Sequence, residues 1–243
     1  MTFHSASVRV LFLVFVFFLC VPGTLLVAGE LFLDEQFLSL ERWKSLVFPQ
    51  IEVQSTYKTI LFDSTPSLLA RSNKSASALV LKKSFNVYTY PLVAWRWQVS
   101  NVFVNGDSSI KAGDDYPIRL YIMFAYDASS ASWGQSVQYN IAKLMYGEYP
   151  PHSSLNYIWA NKKLTKAFLP NPYTDRAMMI PVDQGSAMVG QWVEHQVDIV
   201  RDYRAVFGED PPAVATIAVM ADADNTGESA SAWIDYITIS TRE

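Results

Sequence analysis

Cysteine and histidine are scarce in this chain of 243 residues, which has one cysteine and three histidines. Cys20 lies in an apolar N-terminal stretch, so the chain from Glu30 onward has no thiol and forms no disulfide. Zinc sites use three or four Cys, His or carboxylate ligands, whereas His152 and His195 are isolated from each other in the sequence. We therefore expect no catalytic zinc and a fold stabilised by its hydrophobic core.

The sequence motifs of the common enzyme classes are also missing. There is no G-x-S-x-G nucleophile elbow and no histidine with an evident serine partner. Glycine-rich motifs that bind phosphates or dinucleotides are absent as well. The chain has 19 Lys and Arg against 23 Asp and Glu, without a basic block, so nucleic-acid binding is not expected.

The N-terminal stretch predicts export. Arg9 is the only Lys, Arg, Asp or Glu before Glu30, and an unbroken apolar run follows it at Val10–Val21. A basic start, a short apolar core and small residues up to Gly29 are typical of a secretory signal peptide. The run is shorter than the roughly 20 apolar residues of a membrane span, although an uncleaved N-terminal anchor remains the alternative. We predict a signal peptide at 1–29, one domain at 30–243, no stable membrane span after cleavage, and a periplasmic or extracellular location.

Short strands separated by turn residues dominate the rest of the chain. In Leu92–Val99 and again in Pro117–Asp127, apolar residues alternate with a second, partly polar set. Only two segments have a helical pattern: Gln135–Met145 and a short helix that Asp198 caps, that runs to about Phe207 and that Gly208 stops. These features predict an all-β fold, a two-sheet antiparallel β-sandwich of the jelly-roll type with one or two short helices.

Six motifs are distinctive: W-R-W-Q-V (95–99), K-A-G-D-D-Y-P-I-R-L-Y (111–121), L-N-Y-I-W-A-N (155–161), Y-T-D-R-A (173–177), W-V-E-H-Q-V-D-I-V-R-D-Y-R-A-V-F-G-E-D-P-P (192–212) and A-D-A-D-N-T-G-E-S-A-S-A-W (221–233). They resemble the bacterial exported proteins grouped as domain of unknown function 3047. This resemblance implies export and brings no established reaction. More loosely, Glu30–Trp43, S-A-L-V-L (77–81) and W-I-D-Y-I-T-I (233–239) look like the framework of galactose-binding-like and carbohydrate-binding-module sandwiches, a likeness of fold that assigns no function.

The densest group of oxygen-bearing side chains lies in the turn between the apolar run Val214–Met220 and the alternating segment Ala230–Ile239. Within seven residues the turn contains Asp222, Asp224, Asn225 and Glu228. Calcium binds carboxylate, amide and carbonyl oxygens, so these four residues are a candidate structural calcium site, and calcium is the only cofactor predicted. A turn in which Asp and Asn side chains bind local backbone N–H groups explains the same residues.

A second cluster consists of four residues: Asp114, Asp115, Tyr116 and Arg119. A carboxylate beside an arginine on a strand can orient a polar ligand or act as an acid or base. The alternative is an ion pair that fixes the loop to the sheet. Glycosidases need paired carboxylates, which Asp115 would form with Asp224 or Glu228 if the fold brought them together. The catalytic candidates are Asp115, Asp224, Arg119 and Tyr121.

The polar faces of the two clearest strands suggest a binding surface. If the strands shared a sheet in matching register, Arg96 and Gln98 would line a concave surface with Arg119 and Tyr121. Arginine binds carboxylates bidentately, so an acidic saccharide or small carboxylate would suit it. A solvated sheet face is the alternative. The ligand-binding candidates are Arg96, Gln98, Asp114, Asp115, Arg119, Tyr121 and Trp159.

Aromatic residues fall into two groups. Trp95 and Trp97 share a face with Val93 and Val99, which predicts that they lie in the core. Trp133, Tyr139 and Trp159, in or near less regular segments, are better candidates for stacking on sugars. The sequence thus favours an exported β-sandwich that binds a small polar ligand or saccharide. A metal-independent glycan hydrolase or lyase, and an envelope scaffold with a protein partner, are the alternatives.

Overall fold

The computed structural model describes residues 29–126 and 151–242. Residues 1–28 of the predicted signal peptide lie outside this part of the chain, as do the predicted helix Gln135–Met145, Trp133 and Tyr139. The elements are β1 (Leu31–Glu35), β2 (Trp43–Leu46), β3 (Thr56–Phe62), β4 (Thr65–Asn73), β5 (Ala76–Leu81), β6 (Phe85–Asn86), β7 (Leu92–Val99), β8 (Arg119–Phe124), β9 (Ser153–Ala160), β10 (Leu169–Asn171), β11 (Thr174–Gln184), β12 (Val193–Asp198), α1 (Ile199–Phe207), β13 (Val214–Asp222) and β14 (Ser229–Ser240).

The strands form two sheets packed face to face. The six-stranded sheet has the order β12-β7-β14-β4-β3, with β1 also paired to β14; the eight-stranded sheet has the order β10-β11-β9-β8-β13-β5-β2, with β6 also paired to β13. The predicted all-β, two-sheet sandwich is confirmed. One pair differs from the antiparallel prediction: β11 runs parallel to β9. The reason is that β10 pairs with the far side of β11, which turns β11 back into the direction of β9.

Large aromatic side chains fill the core between the sheets. The ring centroids of Trp95 and Tyr157 are 5.3 Å apart, and those of Trp97 and Trp159 are 6.3 Å apart. All four side chains are fully buried. The core prediction for Trp95 and Trp97 is therefore confirmed. The prediction that Trp159 binds a ligand is wrong, because it lies on the inner face of β9 and its Nε1 donates to the carbonyl of Gly185.

One buried carboxylate links the two sheets. Asp183, near the end of β11, accepts hydrogen bonds from Trp97 Nε1 at 2.6 Å and His195 Nε2 at 2.7 Å, both from the six-stranded sheet. A β-bulge between Pro181 and Asp183 shifts the register of β11 and brings Asp183 opposite the inward-facing Trp159. His195, on β12, thus binds a carboxylate that links the two sheets.

The single α-helix of the described residues, α1, agrees with its sequence pattern. The Asp198 side chain accepts from the backbone N–H groups of Val200 and Arg201, as an N-cap does, and Gly208 ends the helix with a φ of 71°. No helix in the described part of the chain is long and apolar enough to span a membrane.

Candidate functional site

The outer face of the eight-stranded sheet forms the floor of a groove of about 640 Å³. The groove runs across the sheet, from the segment after β2 at one edge, with Phe48 and Ile51, to the β10–β11 turn at the other, with Asn171 and Tyr173. Its floor is deepened by small side chains that face outward: Ala76, Ala78, Ala177 and Ala218. Clefts of this size with a mainly apolar lining and a few polar groups are typical ligand sites.

Strand register brings polar side chains from neighbouring strands together on this floor. Arg119 is paired with Met220 of β13, and Tyr121 is paired with Ala218 of β13 and Asn156 of β9. Because paired residues in an antiparallel sheet point to the same face, the outward set of β8 continues into its neighbours. The Tyr121 hydroxyl donates to Met220 Sδ at 3.6 Å, which keeps this ring on the floor.

Arg119 is buried, and the protein itself occupies its guanidinium. Its Nε and one Nη bind both carboxylate oxygens of Asp222, the first contact at 3.0 Å. The same Nη donates to the carbonyl of Asp114 at 2.7 Å, and the other Nη lies 3.5 Å from the Asp114 carboxylate. The guanidinium also lies 4.6 Å above the centre of the Tyr116 ring. This geometry agrees with the interpretation of an ion pair that fixes the loop before β8 to the sheet.

Asp115 is held by the turn between β13 and β14. Its carboxylate accepts from Asn225 Nδ2 at 3.0 Å and from the backbone N–H of Thr226 at 2.5 Å, and the residue is 0% exposed. The carbonyl of Asp115 accepts from Asn161 Nδ2 at 2.6 Å. A Cβ on Gly106 would lie 2.1 Å from that amide nitrogen, so only glycine fits against Asn161.

Three carboxylates meet at this end of the groove. Oxygens of Asp115, Asp222 and Asp224 lie within 4.8 Å of one another. Asp224 is half-buried and lines the groove, and no Lys or Arg among the described residues forms an ion pair with it. Burial, followed by the charge of Asp115, raises the pKa of Asp224 above its usual range. Asp224 is therefore the member whose acceptor oxygens remain available to a ligand.

The predicted calcium set is rearranged in the structure. Glu228 turns away from Asp224 and accepts from the backbone N–H groups of Val104 and Asn105. Asp115, which is remote in sequence from this turn, lies beside Asp222 and Asp224 where Glu228 was predicted. Calcium remains a prediction, and its candidate ligands are now these three aspartates and not the four residues of one turn.

The predicted surface that joins Arg96 and Gln98 to Arg119 and Tyr121 is wrong. Strand β7 lies in the six-stranded sheet and β8 in the eight-stranded sheet, so the two polar faces point away from each other on opposite sides of the sandwich. Arg96 instead pairs with Asp235 and lies 5.1 Å above the Trp192 ring. Arg96 and Arg119 therefore do not form the arginine pair that suggested an acidic ligand.

The structure adds one residue that the sequence analysis missed. Asn156 is 1% exposed and lines the groove, yet neither its Oδ1 nor its Nδ2 has a hydrogen-bond partner among the described residues. Buried polar side chains are rarely left unpaired, because this costs about 1–3 kcal/mol. The alternation in β9, with Leu155 and Tyr157 inward, was the signal that could have placed Asn156 on the outer face.

Asp115 and Asp224, the carboxylate pair predicted for a glycosidase, lie close together but differ in burial. Such enzymes present two carboxyl groups to the substrate, about 5–9.5 Å apart. Asp115 and Asp222 are buried, and the oxygens of both accept hydrogen bonds from the protein. Of the catalytic candidates, only Asp224 presents a half-buried carboxyl group to the groove.

Residues 41–238 match the model of one protein family, described as Protein of unknown function (DUF3047). The chain belongs to this family. Every residue that lines the groove falls within the matched region, so the groove is part of the DUF3047 domain. Among curated proteins, none matches the chain in sequence.

Solved structures similar to this DUF3047 protein include carbohydrate-binding domains. The family 11 carbohydrate-binding module of the cellulosomal cellulase Lic26A-Cel5E of Clostridium thermocellum matches with a TM-score of 0.42 and 8% identity, over 89% of this chain and 96% of that one. The family 30 module of Cel9D-Cel44B from the same organism has a TM-score of 0.42 and 12% identity, over 87% of this chain and 99% of that one. The carbohydrate recognition domain of Emp47p matches with a TM-score of 0.40 and 12% identity, over 84% of this chain and 90% of that one. Similarity this distant assigns no ligand.

Replacing Arg119 by methionine is expected to lower the free energy of unfolding by about 3–5 kcal/mol, because Asp222 and Asp114 would be buried without a counter-charge. The matched control is Arg204→Met, whose ion pair with Asp210 is exposed to solvent and therefore contributes little to stability. Urea unfolding followed by tryptophan fluorescence measures both. Equal losses in the two variants would contradict the structural role of Arg119.

Replacing Asp224 by asparagine is expected to raise the melting temperature at neutral pH. A carboxyl whose pKa is raised on folding stabilises the protein while protonated, below its unfolded pKa of about 3.9, and loses that contribution as pH rises through the folded pKa. Asparagine at position 224 does not ionise, so the variant lacks this pH-dependent contribution. Its advantage over the wild type should be largest near pH 7 and vanish near pH 3, in thermal melts across that range. A constant difference would contradict the pKa assignment.

Proposed function

We propose that this DUF3047 protein binds a saccharide-like polar ligand in the groove on the outer face of the eight-stranded sheet. Sugars have apolar ring faces and hydroxyl-bearing edges, so they suit a floor of small apolar side chains bordered by amides, carboxylates and aromatic rings. The groove offers all of these, with Tyr173 exposed at the rim and Asn171, Asp224 and Asn225 at one end.

The unpaired amide of Asn156 is the observation that carries the proposal. A primary amide has both donors and an acceptor, which matches a hydroxyl group that can accept and donate. Asn156 and Arg119 are diagonal neighbours on β9 and β8, about 7–8 Å apart by sheet geometry. One end of a ligand can therefore contact Asn156 while the other reaches the polar end of the groove.

A binding protein fits this geometry better than the two alternatives. A hydrolase using a carboxylate pair would need a second accessible carboxyl group beside Asp224, and the neighbouring Asp115 is enclosed by its own hydrogen bonds. A scaffold that only binds a protein would favour a wide apolar patch. The groove is instead concave, and one end of it contains charged side chains, among them Asp114, Arg119 and Asp224.

Replacing Asn156 by leucine should weaken ligand binding about 10–100-fold, since one or two hydrogen bonds of the bound state are lost. The variant should fold at least as stably as the wild type, because an unpaired buried amide is removed. A glycan array identifies a ligand, and calorimetry compares affinities.

Gln98→Leu is the matched control for this test. Gln98 is a buried amide on the outer face of the opposite sheet, so its replacement should leave the affinity unchanged. An array without any bound glycan would overturn the proposal, as would an Asn156→Leu variant that binds as tightly as the wild type.

We also propose that the protein is exported. The support is the basic residue and the short apolar run that precede Gly29, which are typical of a cleaved signal peptide. Expression of the full chain should give a product whose N-terminus lies near Glu30, outside the cytoplasm. N-terminal sequencing of the protein recovered from cell fractions measures this, and an intact Met1 in a membrane fraction would show the anchor instead.

A further inference from the structure

The charged side chains that line the groove have an excess of negative charge. Among the residues that the structure describes, they are the carboxylates of Asp114, Asp222 and Asp224 and the guanidinium of Arg119. The carboxylate of Asp115 lies directly behind them, within 4.8 Å of Asp222 and Asp224. An anionic ligand would be repelled at this end of the groove, because like charges in a partly desolvated site interact strongly.

Arg119 does not offset this excess for an incoming ligand. Its hydrogen bonds to Asp114 and Asp222 occupy Nε and both Nη atoms. An acidic saccharide would have to break a buried ion pair before it could bind the guanidinium. The arginine therefore balances the protein's own carboxylates and is not a binding group for an anion.

No Lys or Arg among the described residues forms an ion pair with Asp224. Asp222 is paired with Arg119, Asp114 is bound by Arg119 and Asn171, and Asp115 is bound by Asn225 and Thr226. Asp224 has no side-chain partner among the described residues, although it is half-buried and faces the groove beside Asp115. A positively charged group at this position would complete the local charge balance.

We infer that the saccharide carries a protonated amine, as an amino sugar does, and that its ammonium group binds Asp224 while another part of the ligand uses the free amide of Asn156. This inference rests on the proposed function and specifies its ligand class. An ammonium group has three N–H donors and no acceptor, which suits an end of the groove where carboxylate oxygens are in excess. The resulting charge-assisted contact selects the free amine over its acetylated form, which is neutral.

Three tetrasaccharides test the inference by calorimetry with the purified protein, under conditions in which the amine is protonated. They are a glucosamine tetramer, the matching N-acetylglucosamine tetramer and an acidic galacturonate tetramer. We expect the glucosamine tetramer to bind at least about 10-fold more tightly than its acetylated counterpart. The galacturonate tetramer should not bind, and added salt should reduce the preference for the amine.

Asp224→Asn should abolish this preference while the protein stays folded. The matched control is Asp210→Asn, which removes the same charge at an exposed site near the end of α1 and should leave the preference intact. The higher melting temperature expected for Asp224→Asn separates loss of binding from loss of folding.

Each other result has a defined meaning. If the acetylated tetramer binds as tightly as the free amine, the amine inference is wrong and the proposed saccharide function stands. If none of the three tetrasaccharides binds, the amine inference is wrong, and the glycan array decides the proposed function. A thermal melt with calcium and with EDTA provides the last comparison. A calcium-dependent rise that disappears in Asp224→Asn, without any preference for the amine, would overturn the inference because the missing cation would be a metal ion.

Discussion

The buried guanidinium of Arg119 is the constraint on which the groove depends. A buried charge is stable only when groups of opposite charge are held close to it in good geometry. For Arg119 these groups are two carboxylates from distant parts of the chain. Asp114 lies in the loop before β8, and Asp222 lies at the end of β13. By binding both, Arg119 aligns the loop with the β13–β14 turn, and this alignment places Asp115 next to Asp224 at the end of the groove.

The two sheets of the sandwich have different outer surfaces because their outward side chains differ in size. The eight-stranded sheet presents alanines along three of its strands, which leaves room for a ligand between the β2 edge and the β10–β11 turn. The six-stranded sheet carries larger outward groups, among them Trp233 and the Arg96–Asp235 pair, and Trp192 lies just before β12 on the same side. The small outward side chains of the eight-stranded sheet therefore give the groove its depth.

Two features of the groove are unfavourable for the folded protein on its own. The Asn156 side chain is buried and has no hydrogen bond within the described part of the chain, and Asp224 is a half-buried carboxyl next to another carboxylate. Polar groups left unsatisfied by the fold are commonly those that a ligand satisfies, at the expense of stability. The same two residues therefore carry both the proposed function and its ligand class.

The sequence by itself determined the local properties of this protein: the all-β class, the inward Trp95 and Trp97, and the caps of α1 at Asp198 and Gly208. The sequence did not predict β4, because its proline, serine and arginine residues obscure the alternation of apolar and polar residues. Only the tertiary structure decided sheet membership, which separated Arg96 from Arg119 and replaced Glu228 by Asp115 in the acidic cluster. The physical reason is that alternation along a strand defines its two faces, whereas its neighbours are chosen by long-range pairing and by buried charges that must find partners.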